Sequence, residues 1–199
     1  EGELGSRGTV ETRYEEAANA ARILGVKFRE NTRLPDGFFT DDKESLLKLI
    51  SQIRHFQPAI VLANAPSDRH PDHENTHKLV KESLFLSGLV RFETEYEAYR
   101  PNIFINYMLH TEFVPSFIID ISDYFEQKKK AVEAYQSQFY SNDQKRVLTY
   151  ISSKNFGDIL YTRFKYYGLK IKADYGEPYY IAAQMKVDDP IKYFDYVTF

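Results

Sequence analysis

The feature that most constrains the fold is an unbroken apolar run at residues 59–63, which follows a segment with helical spacing. A run of this kind, bounded by Pro58, predicts a strand buried on both faces, as in a parallel sheet. A polar loop at residues 64–70 follows it. The next helix is predicted to begin at Pro71, because proline is tolerated at the first helical position. The loop therefore connects the carboxyl end of a strand to the amino end of a helix.

The remaining segments continue this alternation, which indicates an α/β sheet built from βαβ units. Periodicity predicts helices over residues 9–24, 43–56, 71–86, 123–139 and 155–167, and strands over 26–29, 103–107, 116–121 and 179–183. Gly168 is expected to end the last helix, and residues 34–37 have the chemistry of a turn. Because the chain has 199 residues and no linker, we expect one Rossmann-like domain over residues 1–199, with a mostly parallel sheet flanked by helices.

Composition excludes several classes of protein. The 26 basic and 29 acidic residues give a net charge of -3, which argues against a general nucleic-acid-binding protein. The chain has no cysteine, so any metal ion must be held by histidine and carboxylate. No apolar run approaches the roughly 18 residues of a membrane span, and no apolar segment resembling a signal peptide opens the chain. We therefore expect a cytoplasmic protein without a membrane partner.

Three of the five histidines lie within eight residues, in the segment that follows the predicted buried strand. Open α/β sheets bind ligands beyond the carboxyl ends of their strands, which is where this segment is expected. The other two histidines, His55 and His110, are expected to be structural. The candidate functional residues of the cluster are His70, Asp72, His73, Glu74 and His77.

Two interpretations of this cluster involve a metal ion. In the first, residues 73–77 match the pattern H-E-x-x-H, in which two histidines one helical turn apart bind zinc and the glutamate is the base of a peptidase. The match is weak, because Pro71 places the pattern in the first helical turn, whereas zincin peptidases carry it in the body of a helix. In the second interpretation the unit is His70, Asp72 and His73.

Several stretches of the chain together form a specific pattern through their order and spacing. They are residues 1–9, the helix with Arg13 and Glu16, residues 34–37, residues 58–73, residues 119–122 with Lys128, Ser137 and Gln138, and residues 175–178. In these stretches the chain resembles the LmbE-like (PIG-L) family of zinc-dependent N-acetylglucosaminyl deacetylases. The resemblance implies zinc-dependent hydrolysis of the N-acetyl group of an N-acetylglucosaminide. It is nearest to the members that act on N-acetylglucosaminyl malate in bacillithiol biosynthesis.

The resemblance implies a role for each residue of the second interpretation. His73 resembles a zinc ligand, and His70 resembles the electrophilic partner that donates to the developing oxyanion. Asp72 resembles the carboxylate that orients His70. A helix amino terminus disfavours an imidazolium ion, so a nearby carboxylate is needed to keep the His70 ring protonated, and Asp72 is the available one. His77 lies one turn beyond His73 and is assigned to a supporting or surface role.

Substrate contacts are expected at three further positions. Arg7 and Asp36 resemble residues that hold the sugar or its aglycone, and the planar guanidinium of Arg7 suits a carboxylate such as that of malate. A solvated loop arginine is the alternative for Arg7. Tyr175 is a third candidate, because it lies in a family-like stretch near the carboxyl terminus. Members of the family often assemble, so a homo-oligomer is expected.

The sequence departs from the family at its first motif. Two further zinc ligands and the general base come from a His-Pro-Asp-Asp motif in the family, and that motif is missing here. Asp41 and Asp42 do not replace it, because no histidine precedes them. We expect the missing strand–helix–strand unit to precede Glu1 in the natural protein, because a sheet without it would expose apolar edges. If those residues are truly absent, the alternative is a non-catalytic binding module derived from the deacetylase fold.

Overall fold

The structure is a computed structural model that describes residues 5–139 and 147–191. In this part of the chain, five α-helices surround a sheet with the strand order β1-β2-β4-β3. The helices are α1 (Val10–Leu24), α2 (Lys43–Phe56), α3 (Pro71–Ser87), α4 (Phe125–Glu133) and α5 (Phe156–Lys170), with a 3-10 turn at Ser122–Tyr124. The strands are β1 (Ile60–Asn64), β2 (Ile103–Tyr107), β3 (Phe117–Asp120) and β4 (Gly176–Tyr180).

The prediction of a single α/β domain is confirmed, and its sheet is mixed rather than mostly parallel. Strands β1 and β2 are parallel, with Asn64 opposite Tyr107 at their carboxyl ends. Strand β4 is antiparallel to both β2 and β3. Within the described residues, α4 and α5 lie between β3 and β4. None of the described helices is long and apolar enough to cross a membrane.

Local capping explains why the first two helices begin and end where the sequence predicts. The side chain of Thr9 accepts a hydrogen bond from the Thr12 amide at the start of α1, and Gly25 ends that helix with a φ of 70°. The carboxylate of Asp42 accepts from the Ser45 amide at the start of α2. Asp42 is therefore a helix cap, which agrees with its exclusion as a metal ligand in the sequence analysis.

Four of the predicted features differ in the structure. Residues 26–29 form no strand, and α4 ends at Glu133 instead of residue 139. Strand β1 is not buried on both faces in the described structure, because Ile60 is 50% and Leu62 is 53% exposed. Gly168 lies inside α5 and does not end it, since the helix continues to Lys170.

Two apolar clusters hold the helices to one another and to the sheet. Leu46, Ile50 and Leu79 join α2 to α3. Ile121, Phe125 and Phe164 form the second cluster, in which Tyr175 is a partly buried member. The ring of Tyr175 stacks on that of Phe125, with the two planes inclined by 5°.

Gly168 allows α5 to lie directly against the start of β4. A Cβ atom at this position would be 2.7 Å from the Ala173 carbonyl oxygen and 2.8 Å from the backbone of Tyr175. These neighbours are backbone atoms, which cannot move aside as a flexible side chain can. The glycine is therefore required by close packing and not by helix termination.

Replacing Gly168 with alanine is expected to lower the free energy of unfolding by about 1–3 kcal/mol, because the added methyl group overpacks the contact between α5 and β4. The matched control is Gly157→Ala in the same helix, where the nearest atom to an added Cβ is 3.8 Å away in Tyr161. This control should keep or raise stability, because alanine favours a helix by about 1 kcal/mol over glycine. Urea unfolding measures both variants, and equal effects would contradict the packing explanation.

Candidate active site

A cavity of about 470 Å³ lies where the β1–α3 loop, the loop after β2 and four more distant segments meet. The histidine cluster enters it through His70 and His73, and the loop after β2 adds His110. The other walls include Arg7, Arg13, Asp36, Gly37, Arg69, Gln138 and Tyr150. The cavity therefore occupies the position that open α/β sheets use for ligands, beyond the carboxyl ends of neighbouring parallel strands.

His70 is both a wall of this cavity and the amino-terminal cap of α3. Its Nδ1 atom accepts a hydrogen bond from the backbone amide of Asp72, at 3.2 Å, and Pro71 occupies the first helical position. Because Nδ1 accepts, the neutral ring must carry its proton on Nε2. His70 therefore offers an N–H donor at the edge of its ring opposite the helix cap.

His73 has the opposite arrangement. Its Nδ1 atom lies 2.8 Å from Oδ2 of Asp68, and a carboxylate can only accept, so Nδ1 carries the proton. The Nε2 atom of the neutral ring is then left with a free lone pair, which is the form of histidine that binds metal ions. The ring centroids of His70 and His73 are 5.2 Å apart. Two adjacent imidazoles thus present one donor and one acceptor.

Asp68 fixes this part of the site. From the sequence it is only one residue of the family-like stretch 58–73, with no role assigned to it. Its side chain is only 2% exposed, and its Oδ1 atom accepts from the amides of Arg69, at 2.7 Å, and Thr111, at 3.0 Å. Burial by itself raises the pKa of Asp68, but the hydrogen bonds from Arg69, His73 and Thr111 outweigh it and lower the pKa to about 2. Asp68 is therefore a carboxylate over the whole physiological pH range.

His110, which the sequence analysis treats as structural, lies in the cavity. Its ring is parallel to that of His73, with centroids 5.7 Å apart and planes inclined by 7°. Burial is the main reason that the pKa of His110 is lowered. The signal that could have found it is its position just beyond the carboxyl end of β2, the strand that pairs with β1.

Asp72 has a different role from the one that the resemblance implies. Its Oδ2 atom accepts from the Gly37 amide at 2.7 Å, and its Oδ1 atom is enclosed without a hydrogen-bond partner in the described structure. The hydrogen bond between Asp72 and His70 comes from the backbone amide of Asp72, not from its carboxylate. The Asp72 carboxylate does not reach His70 because the first turn of α3 directs it to the turn at residues 36–38. Asp72 thereby holds Asp36 on the cavity wall.

Arg7 reaches the cavity, but its guanidinium is occupied by hydrogen bonds to backbone carbonyl oxygens. Nε and Nη2 donate to the carbonyl oxygens of Ser137 and Phe139, at 2.8 and 2.7 Å, and Nη1 donates to that of Val147, at 3.3 Å. The residue is 5% exposed. These bonds join the loop at residues 5–8 to segments that bear other cavity residues, so Arg7 is not the free carboxylate-binding fork that the sequence suggests. Tyr175 does not reach the cavity, because its ring packs on Phe125 in the core.

The H-E-x-x-H arrangement of a zincin does not form. His77 points to the sheet, where its Nδ1 atom lies 3.0 Å from the Asn64 carbonyl oxygen, and burial lowers its pKa. Glu74 accepts a hydrogen bond from the amide of Asp68 and so supports the β1–α3 loop. Of the two histidines in the pattern, only His73 faces the cavity.

The residues of the site fit a metal ion at one ligand position. His73 has the tautomer and the carboxylate partner that are typical of a metal-bound histidine. Among residues 5–139 and 147–191, however, no three histidine, aspartate or glutamate side chains are grouped so that they could hold a metal ion. A metal ion at this position would therefore need further ligands from outside this part of the chain.

Comparisons with known proteins identify the family. Residues 1–84 match the family model described as PIG-L: GlcNAc-PI de-N-acetylase. The chain is also 34% identical to the conserved protein TT1542 from Thermus thermophilus, with a TM-score of 0.84 over 94% of this chain and 80% of that protein. The chain belongs to the PIG-L family. The assignment to the PIG-L family that the sequence suggests is thereby confirmed.

Two other relatives have a named activity. The chain is 29% identical to diacetylchitobiose deacetylase from Thermococcus kodakarensis, over 70% of this chain and 54% of that enzyme. It is 30% identical to N,N'-diacetylchitobiose deacetylase from Pyrococcus horikoshii, solved with an inhibitor, with a TM-score of 0.71 over 85% of this chain and 62% of that one. The chain thus spans about half to two thirds of the length of these enzymes.

A more distant structure shares only the fold. GalB, the 4-carboxy-2-hydroxymuconate hydratase from Pseudomonas putida, is 18% identical, with a TM-score of 0.67 over 90% of this chain and 74% of that one. At this identity the likeness says nothing about activity. One fold can carry different reactions, so the function has to be argued from the site.

The depressed pKa of Asp68 predicts a specific acid dependence of stability. Its pKa is about 2 in the folded protein and 3.8 when unperturbed, so its contribution is fully present above pH 4 and is lost as the pH falls through 2. That difference corresponds to about 2 kcal/mol. Asp68→Asn should be less stable by about this amount at pH 7 and should lack this component of the acid transition.

Urea unfolding between pH 2 and pH 7 measures this effect. The matched control is Glu15→Gln, which removes an exposed carboxylate from α1 and should change stability by less than about 0.5 kcal/mol. An Asp68→Asn variant with the acid dependence of the wild type would show that Asp68 does not hold the site.

Proposed function

We propose that this protein is a zinc-dependent hydrolase that removes the N-acetyl group from an N-acetylglucosaminide. Its family and the named activity of two relatives support this class of reaction. The observation that carries the proposal is the pair of hydrogen bonds at His70 and His73, which gives the two neutral rings opposite tautomers. His73 offers a lone pair to a metal ion, and His70 offers an N–H donor beside it. Hydrolysis of an amide needs both functions at one carbonyl group.

His73 would bind zinc through Nε2, with Asp68 as the carboxylate that holds the ring and raises its basicity. The remaining ligands, and the general base that the resemblance implies, would come from outside the described residues. Zinc held there would supply Lewis-acid chemistry, namely the activation of water near neutral pH and the polarisation of a carbonyl group.

His70 would stabilise the negative charge that develops on the acetyl oxygen. Its Nε2–H is available in the neutral ring, because the Asp72 amide occupies Nδ1. The ring therefore needs no positive charge, which the amino terminus of α3 would disfavour. One oriented donor of this kind contributes about 3–4 kcal/mol to stabilisation of the transition state.

The sugar would lie between the histidines and the polar walls of the cavity. Asp36 is held there by the bond between Asp72 and Gly37, and its carboxylate suits a sugar hydroxyl group. Arg69 is a better partner than Arg7 for an acidic substrate. Its guanidinium lies 4.7 Å over the ring of Tyr150, and within the described residues it donates no side-chain hydrogen bond. N-acetylglucosaminyl malate is therefore one candidate substrate, and diacetylchitobiose is the other.

Two histidine variants separate the proposed roles in the full gene product. His73→Ala should lose both bound zinc and activity, whereas His70→Ala should retain zinc and lose about 100- to 1,000-fold in kcat. His55→Ala is the matched control, because His55 is exposed and contacts Phe56 and Tyr96 outside the cavity. Amine release from both candidate substrates measures activity, and elemental analysis measures zinc.

Absence of amine release from the zinc-loaded protein with either substrate would refute the proposal and favour the non-catalytic binding module. A zincin peptidase would give a different pattern. Glu74→Gln would then abolish turnover of a peptide substrate, and His70→Ala would have no effect.

A further inference from the structure

Part of the cavity wall is built from three segments that are distant in the chain and are joined away from the histidines. We refer to residues 5–7, Gln138 and residues 149–151, which all line the cavity, as the loop wall. Arg7 donates hydrogen bonds to carbonyl oxygens at or beside both of the other segments, 130 to 140 residues further along the chain. The loop wall therefore depends on long-range contacts and not on the sheet that positions His70 and His73.

A carboxylate of α1 fixes the middle segment of the loop wall. The Oε1 atom of Glu16 accepts a hydrogen bond from the backbone amide of Ser137 at 2.6 Å, and its Oε2 atom accepts from the Ser137 hydroxyl at 2.8 Å. Ser137 is only 7% exposed. Hydrogen bonds to a charged acceptor are stronger than those between neutral groups, and a buried amide that loses its acceptor is costly.

Arg13, one helical turn before Glu16, connects the same helix to the first segment. Its Nε and Nη2 atoms donate to the carbonyl oxygen of Arg7, at 3.2 and 3.0 Å, and Nη2 also donates to Oε1 of Gln138 at 2.9 Å. The Nε2 atom of Gln138 donates to the same Arg7 oxygen at 2.9 Å and to Oγ of Ser137 at 2.7 Å. Residues three apart lie on one helix face, so α1 holds both segments from a single side.

We propose that Glu16 is a positioning residue for the substrate, which acts through Ser137 and Gln138 by holding the loop wall in place. The proposal rests on the function proposed above. Glu16 is not among the residues of the described structure that line the cavity. His73 has a separate support, since its ring is held by Asp68. Displacement of the loop wall should therefore weaken substrate binding while zinc binding and the chemical step stay unchanged.

Replacing Glu16 in the full gene product tests this role. Glu16→Ala should raise the KM for diacetylchitobiose about 10-fold, because two hydrogen bonds to a charged group are lost. Its kcat should change less than about 3-fold, with bound zinc unchanged. Glu16→Gln keeps the side-chain length and one acceptor oxygen, so it should recover most of the lost affinity. The matched control is Glu15→Ala, which removes the exposed neighbouring carboxylate of the same helix.

A pair of glycines tests the loop wall from its other side and separates positioning from stability. Gly8 and Gly25 have similar φ values of 77° and 70°, so alanine is strained at both. A Cβ atom at Gly8 would lie 2.7 Å from Oγ of Ser137, whereas one at Gly25 would have no neighbour within 4 Å. Both alanine variants should unfold at lower urea concentration than the wild type, and only Gly8→Ala should raise KM.

An unchanged KM in Glu16→Ala, an equal rise of KM in Glu15→Ala or Gly25→Ala, or a joint loss of kcat and zinc would each overturn the proposal. If Glu16→Ala does not fold, Glu16→Gln and the glycine pair give the same comparison.

Calorimetric titration with N-acetylglucosamine tests the loop wall without catalysis. Glu16→Ala should bind this sugar about 10-fold more weakly than the wild type does. If the wild type turns over neither candidate substrate but this difference is found, the proposed function fails and the positioning role stands. A wild type that neither turns over a substrate nor binds the sugar would overturn both.

Discussion

The carboxylate of Asp68 is the group on which the rest of the site depends. It accepts hydrogen bonds from the amides of Arg69 and Thr111 and from the ring of His73. These bonds tie the loop after β1 to the loop after β2, which brings His73 and His110 into parallel contact. Burying an ionised carboxylate is costly, and these three hydrogen-bond donors offset that cost. The same interactions that stabilise the loops therefore set the tautomer of His73.

Helix capping sets the second tautomer. His70 occupies the position at which a side chain must accept a backbone amide of the first helical turn, and its Nδ1 atom does so. Pro71 is compatible with this geometry because the first helical amide needs no partner within the helix. The donor that faces the cavity is thus a consequence of how α3 begins. Fold stability and site chemistry share the same contacts.

The sequence predicts those features that depend on neighbouring residues. The bounds of α1 and α2 follow from the caps Thr9, Gly25 and Asp42, and the start of α3 follows from Pro71. Features that depend on distant contacts are not predictable in this way. The carbonyl oxygens that occupy Arg7 lie more than a hundred residues away along the chain, and His110 enters the cavity only because β2 pairs with β1. The contact of Tyr175 with Phe125 is of the same kind.

The most direct measurement of the central claim is the tautomeric state of two rings in the metal-free protein. Nitrogen NMR of protein labelled with ¹⁵N-histidine, at a pH where both rings are neutral, distinguishes a protonated ring nitrogen from an unprotonated one. The account predicts a proton on Nδ1 of His73 and on Nε2 of His70. A His73 ring protonated on Nε2, or a His70 ring protonated on Nδ1, would contradict it, because neither residue could then play the part that the structure supports.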